Sequence, residues 1–247
     1  MKVIVNGLAI EYESQGEGRV ILMLHGWGNT MHYFDALCSE IKGFQIVRLD
    51  LPGFGGSETP QKPWTVEVYA RFVARFCEKL HIEPALIIGH SFGGRITAKG
   101  VSQKILNPQK IVLIASAGVA HRRTARNIGY TIIAKVGKLL LAPFPKGAYN
   151  RFRYALYRST GSDYLTVGSM SETFLHMIRE DLSNAAAAIK TPTLLIWGED
   201  DAVTPVTEGK KLNALIPNSR LYVVPSAGHF VHKEKPKEVA ELIRGFI

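Results

Sequence analysis

The chain has 247 residues, 46% of them hydrophobic and 21% charged, with a formal net charge of +9, enough to bury one large core or a core carrying an insertion. Two cysteines, Cys38 and Cys77, supply neither a disulfide framework nor a zinc spacing, and no stretch is long and apolar enough to span a membrane. The first residues lack the apolar core of a signal peptide, so a reducing, cytoplasmic setting is expected.

Taken in order, residues 1–13 read as a hairpin about Asn6-Gly7. A strand follows over 20–24, then a helix near 32–41, a strand over 45–49, a helix over 65–81 and a strand over 85–89. Another helix is expected after Ser91 and a strand over 110–115. Between Gly118 and Lys190 the alternation stops and the sequence turns helical, with candidates at 128–141, 148–157 and 171–188. The alternation then resumes with an apolar strand over 193–198, a helix opened by Thr204-Pro205, a strand over 221–224 and a final helix that includes His232. Regular alternation of this kind argues for an α/β fold whose sheet is mostly parallel and flanked by helices. There is no internal repeat and no low-complexity linker.

The densest chemical signal is Gly89-His90-Ser91-Phe92-Gly93, set between the strand Ala85-Leu86-Ile87-Ile88 and the helix-forming run that begins at Arg95. A strand that turns straight into a helix forces its apex residue into strained backbone angles, and glycines two before and two after remove the Cβ clashes. The Ser91 hydroxyl is thereby held out above the sheet, at a helix N-terminus that favours negative charge on a bound oxygen. A serine needs a base and a carboxylate. Both follow at strand ends: Glu199-Asp200-Asp201 after the strand over 193–198, and His229 after the strand over 221–224.

Four separated motifs therefore stand in order: His25-Gly26-Trp27-Gly28, Asp50-Leu51-Pro52-Gly53-Phe54-Gly55-Gly56-Ser57, the serine turn, and the strand ends with Asp201 and His229. Together they resemble the α/β-hydrolase-fold serine hydrolases over nearly the whole chain. The resemblance implies a Ser91, Asp201, His229 triad. Its pattern G-x-x-D-x-x-x-P falls on Gly198, Asp201 and Pro205, which selects Asp201 and leaves Asp200 as a solvated turn or cap residue. Relatives that carry the acid after the sixth strand have no counterpart here, because that strand ends in Ala115-Ser116-Ala117-Gly118. The oxyanion hole would use the backbone N–H of Phe92 and, by resemblance, that of Trp27. His25 and His90 are expected to shape loops, and His32, His81, His121, His176 and His232 to have plain surface or core roles.

The resemblance also implies a core of residues 1–118 and 190–247 and a helical cap over 119–189. Residues 119–190 contain 11 Lys and Arg against 4 Asp and Glu, an excess of +7. That excess is read as a solvated face, as attraction for an anionic substrate or carrier protein, or as contact with an anionic membrane surface. Aromatic and basic residues interleave in Arg151-Phe152-Arg153-Tyr154, but no nucleic-acid-binding module is recognisable. Ser91 argues against the aspartate-nucleophile dehalogenases and epoxide hydrolases of this fold. The loop from His25 to Thr30 lacks the Gly-Pro-Gly character of the carbon–carbon bond hydrolases and, like the Asp50 loop, resembles carboxylesterases, including the pimeloyl acyl-carrier-protein methyl ester type. The expected activity is hydrolysis of a small-molecule acyl ester through an acyl-enzyme, with no metal or organic cofactor. Acyl transfer, carbon–carbon bond hydrolysis and non-catalytic ligand binding are the alternatives.

Overall fold

A computed structural model describes residues 1–116, 118–119 and 170–247. Strands β1 (Lys2–Val5) and β2 (Leu8–Gln15) pair antiparallel with Val5 opposite Leu8. Only Asn6 and Gly7 are left to turn, and both take positive φ, 50° and 79°, as a two-residue hairpin loop with the twist of its strands requires. The remaining strands are β3 (Val20–Leu24), β4 (Gln45–Leu49), β5 (Pro84–His90), β6 (Lys110–Ile114), β7 (Thr193–Gly198) and β8 (Ser219–Val224). They form one sheet of order β1-β2-β4-β3-β5-β6-β7-β8, parallel from β4 through to β8. The α/β class expected from the alternation is the fold observed.

The central strands are apolar without a break because both faces are covered. Successive residues alternate between two cores. Leu22, Leu24, Ile87, Ile111, Leu113, Leu195 and Trp197 meet helices α2 (Val66–Leu80) and α3 (Phe92–Ser102) on one face. Ile21, Met23, Leu86, Ile88, Val112, Ile114, Leu194 and Ile196 meet α1 (Asp35–Glu40) on the other, together with a later helix described below. Helix α2 starts with the Thr65 hydroxyl accepting the Val68 N–H and stops at His81, whose left-handed backbone (φ 54°) closes the last turn.

The helix expected over 171–188 is two, α4 (Ser171–Arg179) and α5 (Ser183–Ala188). Asp181 causes the break, because its carboxylate accepts from both the N–H and the hydroxyl of Ser183, a local turn that competes with the helix. Arg95 of α3 is buried beside the break and donates to the carbonyls of Met177 and Glu180, which an uninterrupted helix would use itself. The chain ends with α6 (Val206–Leu215), α7 (Val231–Glu234) and α8 (Pro236–Phe246), the last packing its apolar stripe on the α1 face. His232 lies in the short α7 rather than in the final helix, since Lys235 breaks the run before Pro236. The helices expected at 128–141 and 148–157, and with them most of the expected basic cap, lie outside the described residues. Among the described residues, no helix is long and apolar enough to cross a membrane.

Candidate active site

The loops after β3, β5, β7 and β8 emerge at the same edge of the sheet, because these strands run parallel. Ser91 caps α3 with φ 49° and ψ −106°, a conformation that costs a non-glycine residue about 1–3 kcal/mol and persists only when its surroundings enforce it. The enforcement is visible. The Ser91 N–H is tied to the Ile114 carbonyl at 3.0 Å, and a Cβ on Gly89 would sit 2.6 Å from the Gly93 carbonyl oxygen. A Cβ on Gly93 would overlap the carbonyl of Leu24. Both glycines of the pentapeptide are thus required by close approach of backbone, and β3, β5 and α3 are clamped around the serine.

On the neighbouring loops, His229 Nδ1 lies 2.9 Å from Asp201 Oδ2, with the histidine side chain 10% exposed and the carboxylate fully buried. Asp201 Oδ1 accepts the N–H groups of Val203 and Thr204 at 2.9 and 2.8 Å. Its other oxygen also accepts the Thr204 hydroxyl at 2.8 Å. Burial alone would raise this carboxyl, but the bonds from His229 and Thr204 outweigh it and hold Asp201 below the ordinary carboxylate range. The carboxylate therefore stays ionised and keeps the proton of His229 on Nδ1, which leaves Nε2 free to accept. Asp200 and Glu199, by contrast, are exposed. In the sequence Thr204 reads only as the residue before the helix-opening Pro205. It also reaches His229 Nδ1 at 3.2 Å, and Trp197 on β7 steadies it by donating its indole N–H to the Thr204 carbonyl at 2.8 Å. Its position three residues after Asp201 and just before Pro205 is the signal that could have found it.

Trp27 stands on the turn Gly26–Gly28 after β3, and Phe92 begins α3, where first-turn N–H groups have no intrahelical acceptor. Their rings meet edge to face at 5.2 Å, so the two expected oxyanion amides belong to segments in contact. Phe54 and Phe174 extend the wall, 4.9 and 5.1 Å from the Trp27 ring. The turn itself is pinned by His25, whose Nδ1–H donates to the Gly26 carbonyl while its Nε2 accepts the Leu51 N–H. Asp50 organises the adjoining loop by accepting the N–H groups of Met31 and Gly56.

His25, His90 and His232 are buried around this edge and held neutral. Desolvation depresses His25 to about 4 and His232 to about 3, and the positive potential of neighbouring groups adds to the shift at His232. His232 packs 4.9 Å from Phe34, and among the described residues neither of its ring nitrogens has a hydrogen-bond partner. A depressed folded value means that the unfolded chain takes up protons first. The stabilising contribution is therefore complete above the ordinary histidine value of 6.5 and is lost as pH falls through the folded value. His232→Phe, which keeps the ring and removes the titration, is expected to lose about 2 kcal/mol less stability than the parent between pH 7 and pH 5. Urea unfolding at the two pH values measures this, and equal losses would refute it.

A family model described as alpha/beta hydrolase fold matches residues 19–236. The chain is 30% identical to the uncharacterized hydrolase YugF of Bacillus subtilis (strain 168), across 98% of this chain and 96% of YugF. It is 26% identical to the 2-hydroxy-6-oxononadienedioate/2-hydroxy-6-oxononatrienedioate hydrolase of Comamonas testosteroni, across 98% of this chain and 92% of that protein. Among solved structures, a membrane phospholipase A superposes with a TM-score of 0.79 at 24% identity, covering 100% of this chain and 84% of the other. At that identity the likeness speaks for the fold.

Proposed function

This chain belongs to the alpha/beta hydrolase family, and on that premise we propose that it hydrolyses carboxylic esters through an acyl-enzyme on Ser91. The observation that carries the reading is the Asp201–His229 pair at 2.9 Å, on loops beside a serine held in a strained turn. In the proposed reaction the Ser91 hydroxyl attacks the ester carbonyl while His229 Nε2 takes its proton. The N–H groups of Phe92 and Trp27 receive the oxyanion, whose charge develops where the α3 dipole is positive. His229 returns the proton to the leaving alcohol as the tetrahedral intermediate collapses. Water, deprotonated by His229, then releases the acid and regenerates the serine. Asp201 holds the imidazole in one tautomer and stabilises its charged form throughout.

Two features support an apolar acyl group next to the reacting carbonyl. The wall beside the serine is aromatic, built of Trp27, Phe54, Phe92 and Phe174. Neither cation on the nucleophile's own helix is offered to a substrate carboxylate: Arg95 is committed to two backbone carbonyls, and Lys99 pairs with Glu180 at 2.8 Å. A second reading, carbon–carbon bond hydrolysis, draws on the Comamonas relative, whose name gives it a dioate substrate. Acyl transfer would use the same acyl-enzyme with an alcohol or thiol in place of water. A chain-length series of p-nitrophenyl esters, run beside a 2-hydroxy-6-oxo-dienoate and with competing alcohol acceptors, separates the three. Turnover of the esters to free acid is expected. Turnover of the dienoate alone would overturn the ester reading.

The segment 119–189 is proposed to form a cap over this edge, with its positive charge drawing in acidic esters or an acidic carrier. Attraction of that range fades as added salt shortens the screening length to about 8 Å near physiological ionic strength. The kcat/KM of an acidic ester is expected to fall with salt while that of a neutral ester of similar size stays level. Charge reversal at Arg122, Arg123 and Arg126 should flatten the difference. Equal salt response of the two esters in the parent would make the basic segment a solvated face only.

A further inference from the structure

We propose that His90 is a positioning residue that ties the nucleophile turn, the base loop and the oxyanion turn into one rigid unit, a role that builds on the reading of Ser91 and His229 above. The residue between Gly89 and Ser91 is the last of β5, and its side chain is fully buried. It runs beneath the base loop. His90 Nε2 lies 3.0 Å from the carbonyl oxygen of His229. A carbonyl can only accept, so Nε2 carries the proton, and in the neutral ring Nδ1 is a bare lone pair. Burial keeps the ring neutral, well below the ordinary histidine value.

The remaining contacts of this ring connect the other two segments. Its centroid is 4.8 Å from that of His229 and 4.5 Å from that of His232, so it is one face of the socket in which the base ring sits. Nδ1 faces the oxyanion turn: a Cβ placed on Gly26 would fall 2.8 Å from it and 3.0 Å from Asn29 Nδ2. Glycine at 26 is what lets the turn bearing Trp27 close onto the imidazole. One side chain thus donates to the backbone of the base residue, packs on its ring, and seats the neighbouring turn, while its own backbone leads directly into Ser91. A free backbone carbonyl at His229 would let the loop 227–230 shift. Displacements of about 1 Å at reacting groups cost up to about 100-fold in rate.

The test pairs two variants. His90→Phe keeps a ring of similar size and removes the donor, whereas His90→Gln returns an N–H at comparable reach. With active sites titrated by a p-nitrophenyl phosphonate, His90→Phe is expected to lower kcat for a p-nitrophenyl ester by about 10- to 100-fold with KM within about twofold. His90→Gln should recover to within about fivefold of the parent. Parent-like kcat in His90→Phe, or no recovery in His90→Gln, overturns the proposal. Should either variant fail to fold, a long-range 1H–15N spectrum of the 15N-histidine-labelled parent decides. The Nε2–H tautomer at His90 is expected, and the Nδ1–H tautomer overturns the role. Ser91→Ala run in the same assay tells a failed strut from a failed ester reading, since parent-like turnover there would remove the nucleophile while leaving the tautomer spectrum decisive for His90.

Discussion

Ser91→Ala is expected to fold like the parent and to hydrolyse esters about 10⁴-fold or more slowly, with KM little changed. Alanine is free of strain-relieving bulk and fits wherever serine does, and the turn is fixed by backbone contacts to Ile114, Gly93 and Leu24 rather than by the hydroxyl. What is lost is the covalent route itself. Substrate would still meet the aromatic wall and the two oxyanion amides, so a residual rate above that of water is expected from binding and oxyanion stabilisation. His229→Ala should fall by a comparable factor, and the double variant little further, because the two residues act as one unit. Additive losses in the double variant would mean that they do not. Turnover in Ser91→Ala near that of the parent would end the nucleophile assignment.

The second large effect separates two adjacent carboxylates. Asp201→Asn is expected to cut kcat by about 10⁴-fold, because an amide in that place must present its NH₂ either to His229 Nδ1–H or to the N–H groups of Val203 and Thr204. The second orientation sets donor against donor, and the first does so unless the ring gives up its Nδ1 proton. Facing His229, the amide also reverses the tautomer, placing the proton on Nε2, where it cannot accept from Ser91. Asp200→Asn removes an exposed charge that faces no partner of the triad, and a change of no more than about twofold is expected. Steady-state kinetics of the two single variants suffices. The reverse ranking would move the acid to Asp200.

The sheet was legible in the sequence because parallel strands covered on both faces are continuous apolar runs, and β3, β4 and β7 have the bounds that their runs suggest. The family pattern that falls on Gly198, Asp201 and Pro205 selects Asp201 among three contiguous carboxylates, and that is the one the fold brings to His229. Ser91 and the Trp27 turn are likewise gathered at one edge of the sheet, since each follows the end of a parallel strand. Other features could not be read, for physical reasons. The division of 171–188 into two helices depends on Asp181 competing for Ser183 and on Arg95 arriving from α3, a partner more than 80 positions away in the chain. His90 acts through a ring atom whose partner, the His229 carbonyl, is fixed only once the ends of β5 and β8 share one edge of the sheet. His232 carries no motif, and its burial against Phe34 and His90 is a matter of packing.

If Ser91 carries the acyl group, a phosphonate that mimics the tetrahedral intermediate should be trapped on its hydroxyl. Mixed with a p-nitrophenyl alkylphosphonate, the protein is expected to release one equivalent of p-nitrophenol per chain, with the phosphonyl group recovered by mass spectrometry on the peptide containing Ser91 and absent from the Ser91→Ala variant. A phosphonyl group on another residue, or full labelling of the alanine variant, would contradict that role of Ser91.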